Sequence, residues 1–369
     1  MRILSLFLLV HLFVGASAQA SPYQEIIDGA VGRGMPGVQA VVLSGAAQWS
    51  GAAGLASVER GQLLTVRHRL RLASITKMFT SAAILELARR GRLGLDDRAV
   101  DRLPAGTLEG IPHADRITVR HLLEHRSGLH NFNGANGADF FAELYGDPRR
   151  ATRRWTAREL LAFARRPENP PIHAPGEQQA YSSTGYIVLE LTAEHVAGRP
   201  LPGLYRELIF APLRMRRTGV EGHDLRAGDS VDSYGRPPDD LRAPSAFTAR
   251  PQARADGLLN LSGGMRYYNA WARGAGAAAS TAEDLARFMR AVLDGRYSVI
   301  ADQMAAFADA RARPAASFSW NGGTAGVQSS IFYAPHGDIV VIVLTNGTNT
   351  GEGSLDIARA LLAAARRPG

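Results

Sequence analysis

Cysteine is absent from this chain of 369 residues, and lysine is nearly absent. Without cysteine the protein has no disulfide bond and no lipid anchor attached through a thiol. The folded state must therefore be held by its apolar core, and a chain of this length is ample for a large core.

Long apolar runs are also scarce, and the one at the N-terminus is short. Residues 3–15 form an apolar run that follows Arg2 and is too short to span a membrane as a helix. Small residues follow it, with acceptable cleavage sites near Ala18 and Ala20. This pattern predicts an export signal over residues 1–20 and a mature protein in the periplasm or the medium. No other run is long enough to predict a membrane span.

Clusters of basic residues are missing, although the formal net charge is +8. The arginines are scattered singly and in pairs, and no basic run reaches five residues. We attribute the charge to an arginine-rich composition and expect no nucleic-acid partner, which an exported location also disfavours.

The single lysine, Lys77, lies three residues after Ser74, and all the other basic residues among the 42 are arginines. Arginine does not lose its proton near neutral pH, whereas the pKa of a buried lysine can fall far enough for it to act as a base. The apolar pattern from Ile75 to Leu87, followed by Gly91, predicts a helix. Residues three apart share a helix face, so Ser74 and Lys77 can meet there.

This spacing favours a nucleophile and its base on one helical turn, with the N–H groups of the helix N-terminus as oxyanion donors. In the alternative interpretation Ser74 is a helix cap and Lys77 a surface residue. The helix is apolar nearly all round, which disfavours that alternative, because a buried helix rarely carries a lysine without a role.

Strand patterns lie near both ends of the chain, and helix patterns occupy the middle. Stretches rich in Asn, Gly, Pro and Asp predict loops at 131–139 and 236–251. The predicted strands are 37–43, 47–53, 328–333 and 339–344, and the further predicted helices are 117–124, 155–166, 184–197, 281–293 and 354–366.

These elements predict an α+β fold in which both termini build one mainly antiparallel sheet flanked by helices. We expect one domain over residues 21–369, with its sheet region at about 21–80 and 290–369. The mainly helical part would be inserted at about 81–289.

Several short motifs occur together in a specific order, and their combination resembles the serine β-lactamase-related family. That family includes class C β-lactamases, D-alanyl-D-alanine carboxypeptidases and family VIII esterases, and the resemblance runs roughly from Gly37 to the end of the chain. It implies the β-lactamase/transpeptidase-like fold, a small ester or peptide-like substrate and no cofactor. The segments that carry it are Ser74-Ile75-Thr76-Lys77, Gly91-Arg92-Leu93-Gly94-Leu95-Asp96-Asp97, Ile117 to Leu129, Pro175-Gly176-Glu177, Tyr181-Ser182-Ser183-Thr184-Gly185-Tyr186 and Asn321-Gly322-Gly323-Thr324-Ala325-Gly326.

The resemblance assigns roles to individual residues. It makes Ser74 the acylated nucleophile, Lys77 its basic partner and Tyr181 a relay of the proton to the leaving group. It places the second oxyanion donor at the backbone N–H of Gly323, next to Gly322, where glycines allow a substrate to approach a strand closely.

Two departures from the family pattern bear on the substrate. Ser183 stands where the family usually has Asn, and Trp320 stands where it usually has Lys or His. The sequence Trp320-Asn321-Gly322 is similar to the esterase branch, and an aromatic wall would suit an apolar acyl or alcohol group. We therefore expect an esterase. The alternatives are cleavage of β-lactams or D-Ala-D-Ala peptides, and a non-catalytic envelope-binding or sensor module.

A rival motif is His121-x-x-Glu124-His125, which fits a zinc-protease pattern. It would need a third protein ligand further along the chain. The family resemblance explains the same segment as a structural turn before Ser127-Gly128-Leu129, so we expect no metal.

Overall fold

The computed structural model describes residues 21–133, 140, 143–144, 148–151, 153–221, 223–226, 229–236, 257–265, 269–296 and 318–367. The predicted export signal at 1–20 lies outside the described residues, as do most of the two predicted loops at 131–139 and 236–251. Within the described part of the chain, no helix is both long and apolar enough to cross a membrane.

The sheet that organises the fold is built from both ends of the chain. Its six strands are antiparallel to their neighbours and lie in the order β3-β2-β1-β11-β10-β9. In chain order the strands are β1 (Gly37–Ser44), β2 (Ala47–Ser57), β3 (Gln62–Leu63), β4 (Leu70–Arg71), β5 (Gly219–Val220), β6 (Tyr234–Gly235), β7 (Leu259–Asn260), β8 (Ala278–Ser280), β9 (Phe318–Thr324), β10 (Val327–Ala334), β11 (Ile339–Thr345) and β12 (Gly347–Thr348).

Strands β1 and β11 pair in the middle of this sheet, with Ala40 opposite Val343. All seven residues of β11 are buried, because helices cover both faces of the sheet. A strand buried on two sides is a continuous apolar run without alternation. This explains why the sequence Ile-Val-Val-Ile-Val-Leu shows no period of two.

Three of the helices begin with a threonine cap. Thr118, Thr156 and Thr281 each accept a hydrogen bond from the backbone three residues later, at the starts of three helices. The helices are α1 (Pro22–Gly32), α2 (Thr76–Arg89), α3 (Val119–Leu123), α4 (Pro148–Ala151), α5 (Ala157–Phe163), α6 (Ser183–Ala197), α7 (Leu201–Tyr205), α8 (Ser262–Met265), α9 (Asn269–Ala272), α10 (Ala282–Leu293) and α11 (Ser354–Ala365).

The terminal helices α1 and α11 lie on one face of the sheet, and α2 and α10 lie on the other. Helices α1 and α11 contribute Ile27 and Leu361 to a core with Val38 on one face. Phe79 of α2 and Phe288 of α10 belong to the larger core on the other face, with their ring centroids 5.0 Å apart.

The described part of the region between α2 and β9 holds most of the helices. Its strands β5 to β8 join β4 and β12 in two small three-stranded sheets, β4-β8-β5 and β12-β6-β7. The predicted fold class, an α+β arrangement with an antiparallel sheet from both termini and flanking helices, is confirmed. The proposed limits of the sheet region and the helical insertion stay predictions.

Candidate active site

Ser74 lies in a 3₁₀ turn, Ala73–Ile75, which runs directly into α2. The turn begins just after β4, where the buried guanidinium of Arg71 is 2.9 Å from the Glu221 carboxylate. Ala73 has a φ of 47°, a conformation that is strained for a residue with a Cβ. The chain therefore bends sharply just before the predicted nucleophile, and the bend is held by buried contacts on both sides.

The hydroxyl of Ser74 has two proton-handling groups within reach. Lys77 Nζ lies 3.3 Å from Ser74 Oγ, and the phenol of Tyr181 donates a hydrogen bond of 2.8 Å to the same atom. The structure thus brings together the three residues that the sequence predicted to be catalytic.

Lys77 is completely buried. Its Nζ donates a 2.8 Å hydrogen bond to the carbonyl oxygen of Ala275 and lies 4.8 Å and 5.6 Å from the ring centroids of Tyr181 and Tyr186. Burial lowers the pKa of Lys77 from its ordinary value, and interaction with Tyr181 opposes this to a smaller extent. The environment therefore favours the neutral amine that a general base requires.

The carbonyl that receives Lys77 belongs to a 3₁₀ turn, Arg273–Ala275, which Glu190 of α6 holds in place. The Glu190 carboxylate accepts the Gly274 N–H at 2.9 Å and pairs with the Arg273 guanidinium at 2.6 Å. The Gly274 carbonyl in turn accepts the hydroxyl of Thr80 at 2.6 Å. Two successive carbonyls are thereby directed at α2, one at Thr80 and one at Lys77.

Strand β9 passes directly beside the Ser74 turn. A Cβ added to Gly322 would lie 2.3 Å from the Leu72 carbonyl oxygen and 3.0 Å from Ser74 N, so only glycine fits there. The hydroxyl of Ser329 on β10 donates to the same Leu72 carbonyl at 2.7 Å. Gly323 is exposed, and a Cβ on it would meet nothing within 4 Å. There is therefore open space next to Gly323, one residue from the contact with Ser74.

The other predicted binding residues take different positions. Trp320 is 6% exposed, and its indole N–H lies 3.3 Å from the Ser74 carbonyl oxygen. It therefore supports the turn that holds Ser74 and is too buried to form the aromatic wall that we expected. Asn321 bonds through its amide to Ser319 and Ser330 at 3.3 Å and 2.8 Å, on the strand face opposite Trp320.

Ser183, the residue in place of the family Asn, begins α6 and is 2% exposed. Its backbone N–H donates to the side-chain oxygen of Asn131 at 2.9 Å. In the family the Asn at this position contacts the lysine through its side-chain amide. Here Lys77 contacts the backbone carbonyl oxygen of Ala275. Both Asn131 and Ala275 were missed by sequence reasoning; Ala275 acts through its backbone and leaves no signal in the sequence.

The alternative zinc motif is used differently. Helix α3 ends at Leu123, so the residues after it do not continue its face. His121 Nδ1 lies 3.3 Å from the Thr118 N–H in the cap of α3, and His125 Nδ1 accepts the Ser182 N–H at 3.1 Å. Over the described ranges, no three His, Asp or Glu side chains are grouped so that they could hold a metal ion.

This geometry can be compared with known proteins. The family model described as Beta-lactamase matches residues 23–365, which is most of the chain. The chain belongs to the beta-lactamase family. Members of this family are serine hydrolases that act on esters or amides, and the expected family resemblance and fold are confirmed.

Relatives within the family carry different names. The chain is 30% identical over 181 residues to Penicillin-binding protein 4* of Bacillus subtilis, covering 49% of this chain and 37% of the relative. It is 32% identical over 170 residues to Esterase EstB of Burkholderia gladioli, covering 46% of this chain and 42% of the relative. The matched regions thus span less than half the length of each of these relatives. A D-stereospecific amidohydrolase from Streptomyces sp. superposes with a TM-score of 0.70 at 25% identity, covering 94% of this chain and 98% of that one.

Because Lys77 is the sole lysine, its ionisation can be measured directly. In protein labelled with ¹³C at the lysine Cε, we expect a single Cε signal whose titration midpoint lies below 10.5, since burial disfavours the ammonium. Tyr181→Phe should lower the midpoint further, because Tyr181 raises the pKa of Lys77. A midpoint at or above 10.5 in the folded protein would contradict the assignment of Lys77 as a base.

The contact between β9 and the Ala73–Ile75 turn predicts that Gly322→Ala is destabilising. The new methyl would press on a backbone carbonyl that cannot rotate away, and overpacking of this kind costs about 1–3 kcal/mol. Urea denaturation measures the change in free energy of unfolding. The matched control is Gly203→Ala in α7, where the methyl meets nothing within 4 Å and should leave stability unchanged or slightly raised. Equal effects in the two variants would show that β9 does not press on the Ser74 turn.

Proposed function

We propose that the protein is an exported esterase that works through an acyl-enzyme on Ser74. The observation that carries the proposal is the convergence of Lys77 Nζ and the Tyr181 phenol on Ser74 Oγ, at 3.3 Å and 2.8 Å, from different elements of the fold. A hydroxyl with a buried amine on one side and a phenol on the other is suited to nucleophilic attack on a carbonyl.

The first step forms the ester of Ser74 and releases the alcohol. Ser74 Oγ attacks the substrate carbonyl while its proton passes to the neutral Lys77, and the C–O bond to the alcohol breaks as Tyr181 delivers a proton to the departing oxygen. Proton exchange between Lys77 and Tyr181 restores both groups. In the second step Lys77 and Tyr181 take a proton from water, which attacks the acyl carbon. The bond from that carbon to Ser74 Oγ then breaks, the same pair returns the proton to Oγ, and the acid leaves.

The negative charge that develops on the carbonyl oxygen needs donors beside Ser74. We assign this role to the backbone N–H groups of Ser74 and Gly323. Support comes from the close approach of Gly322 to Ser74 N and the open space at Gly323. Removing one donor of this type typically reduces the rate about 10²–10³-fold.

Two features favour esters over amides. Position 320 carries no cation for a substrate carboxylate, and Trp320 is buried beneath the Ala73–Ile75 turn. Ser183 lacks the amide that the family usually presents at its position. An ester needs less assistance at the leaving group, since an alkoxide departs more readily than an amine anion, and the likeness to Esterase EstB agrees with this choice.

Amide hydrolysis is the second candidate. The likeness to the D-stereospecific amidohydrolase extends over 94% of this chain, and the carbonyl of Ala275 supplies Lys77 with an amide oxygen. Small peptides, β-lactams or amino acid amides would then be the substrates.

The export part of the proposal is supported by the apolar run at residues 3–15. We expect the protein recovered from the periplasm or the medium to begin after Ala18 or Ala20, and N-terminal sequencing of that fraction measures it. An intact Met1 on the protein from the cytoplasmic fraction, with none outside, would refute export.

The catalytic assignment predicts one acylated residue. Intact-mass and peptide spectra after treatment with a fluorophosphonate should show a single adduct on Ser74. The adduct should be lost in Ser74→Ala and kept in Ser50→Ala, whose hydroxyl contacts Glu283 on α10. Lys77→Arg keeps the charge but cannot act as a base, so ester turnover should fall about 10²–10⁴-fold. Full activity in that variant would refute the role of Lys77.

The choice between esters and amides is decided with the same protein. We expect kcat/KM to be highest for short-chain p-nitrophenyl esters and lower for nitrocefin, D-amino acid p-nitroanilides and D-Ala-D-Ala peptides. A higher value for an anilide or peptide would establish the amide candidate and reject the ester proposal.

A further inference from the structure

His125 contacts three successive residues, Ala180, Tyr181 and Ser182. Its carbonyl oxygen accepts the Ala180 N–H at 2.8 Å, and its Nδ1 accepts the Ser182 N–H at 3.1 Å. Between these two bonds its ring stacks on the ring of Tyr181, with centroids 4.6 Å apart and planes inclined by 30°. The backbone on either side of Tyr181 and the face of its ring are therefore held by one residue.

Tyr181 needs such support because it is 40% exposed. It lies just before α6 and not within a helix or strand. An exposed side chain on an irregular segment normally samples several rotamers, which costs about 1–2 kcal/mol of entropy to suppress for the larger side chains. The 2.8 Å bond from its phenol to Ser74 Oγ requires one of these rotamers.

The imidazole is itself held by the core. Its other neighbour is the buried ring of Tyr186, 5.0 Å away, whose hydroxyl bonds to Ser81 of α2 at 2.9 Å. His125 is 1% exposed and has a φ of 53°, so surrounding contacts fix it in a strained backbone conformation. The stack Tyr181–His125–Tyr186 thus links the exposed phenol to the helix that carries Lys77.

We propose that His125 is a positioning residue for Tyr181, which holds the phenol on Ser74 Oγ through the two backbone hydrogen bonds and the ring stack. The inference rests on the role given to Tyr181 in the proposed function. It assigns the motif residue His125, considered above as a metal ligand, to the support of a proton relay.

The interaction requires a neutral imidazole, because Nδ1 can accept the Ser182 N–H only through a lone pair that an imidazolium lacks. The ionisable groups that face the ring are Lys77, Tyr181 and Tyr186. Burial, and next the charge of Lys77, lower the pKa of His125 to about 3. The ring therefore stays an acceptor at pH values well above 3.

A double-mutant cycle separates positioning of Tyr181 from general structural support. His125→Asn keeps an acceptor near Nδ1 and tolerates a positive φ but removes the ring, whereas His125→Phe keeps a ring and removes the acceptor. We expect each variant to lower kcat for a p-nitrophenyl ester about 10–100-fold, the scale of a 1 Å misplacement, with KM changed less than threefold. In a Tyr181→Phe background the same substitutions should lower kcat less than threefold, because the group that they position is already gone.

The control is His113→Asn. His113 is an exposed histidine whose φ of 58° is similar to the φ of His125. This substitution should change kcat less than twofold in both backgrounds. Equal losses from the His125 substitutions with and without the Tyr181 hydroxyl would overturn the proposal, as would wild-type kcat in both His125 variants. Thermal melting of each variant identifies one that fails to fold, and the other variant then decides.

Crystal structures of the variants keep the inference independent of the proposed function. We expect the distance from the phenol oxygen of Tyr181 to Ser74 Oγ to exceed 3.5 Å in His125→Asn or His125→Phe. If the wild-type protein turns over no ester and forms no Ser74 adduct, the proposed function fails, and this distance alone tests the positioning. An unchanged distance in both variants would overturn it.

Discussion

The buried amine of Lys77, bonded to the carbonyl of Ala275, is the interaction on which the site depends. An ammonium in an apolar interior is costly, so the surroundings must either neutralise it or provide acceptors. Here both occur. Burial lowers the pKa of Lys77, while Ser74 Oγ and the Ala275 oxygen lie within hydrogen-bond distance of its nitrogen.

This interaction requires elements that are distant in the chain. The turn that contains Ala275 is held by Glu190, and burial raises the pKa of this carboxylate while Arg273 opposes the shift. The phenol of Tyr181 comes from the segment before α6 and is held by His125. Strand β9 closes the other side against the Ser74 turn. The sheet built from both termini brings this strand to the start of α2, so the site depends on the same strand pairing as the fold.

Much of the architecture could be predicted because helices and strands depend on short, local sequence patterns. Three of the predicted helices begin at the caps Thr118, Thr156 and Thr281, and the predicted strands and terminal helix appear within a few residues of their expected bounds. The position of Trp320 could not be predicted in this way. An indole beside a catalytic motif can face the substrate or the core, and only the hydrogen bond to the Ser74 carbonyl shows that it faces inward. The His121–His125 pattern was ambiguous for a related reason, since the end of α3 at Leu123 decides which way each imidazole points.

The sequence by itself predicted that Ser74 and Lys77 lie together, because residues three apart on a helix share one face. It also determined the fold class, through strand patterns at both ends and helices between them. The tertiary structure alone decided what surrounds that pair: the Ala275 carbonyl, the stacked His125 and the glycine contact at Gly322. These depend on backbone atoms and on ring orientations, and neither is encoded by residue type at a position. Packing between elements that are distant in the chain fixes these contacts, and a local sequence pattern does not predict that packing.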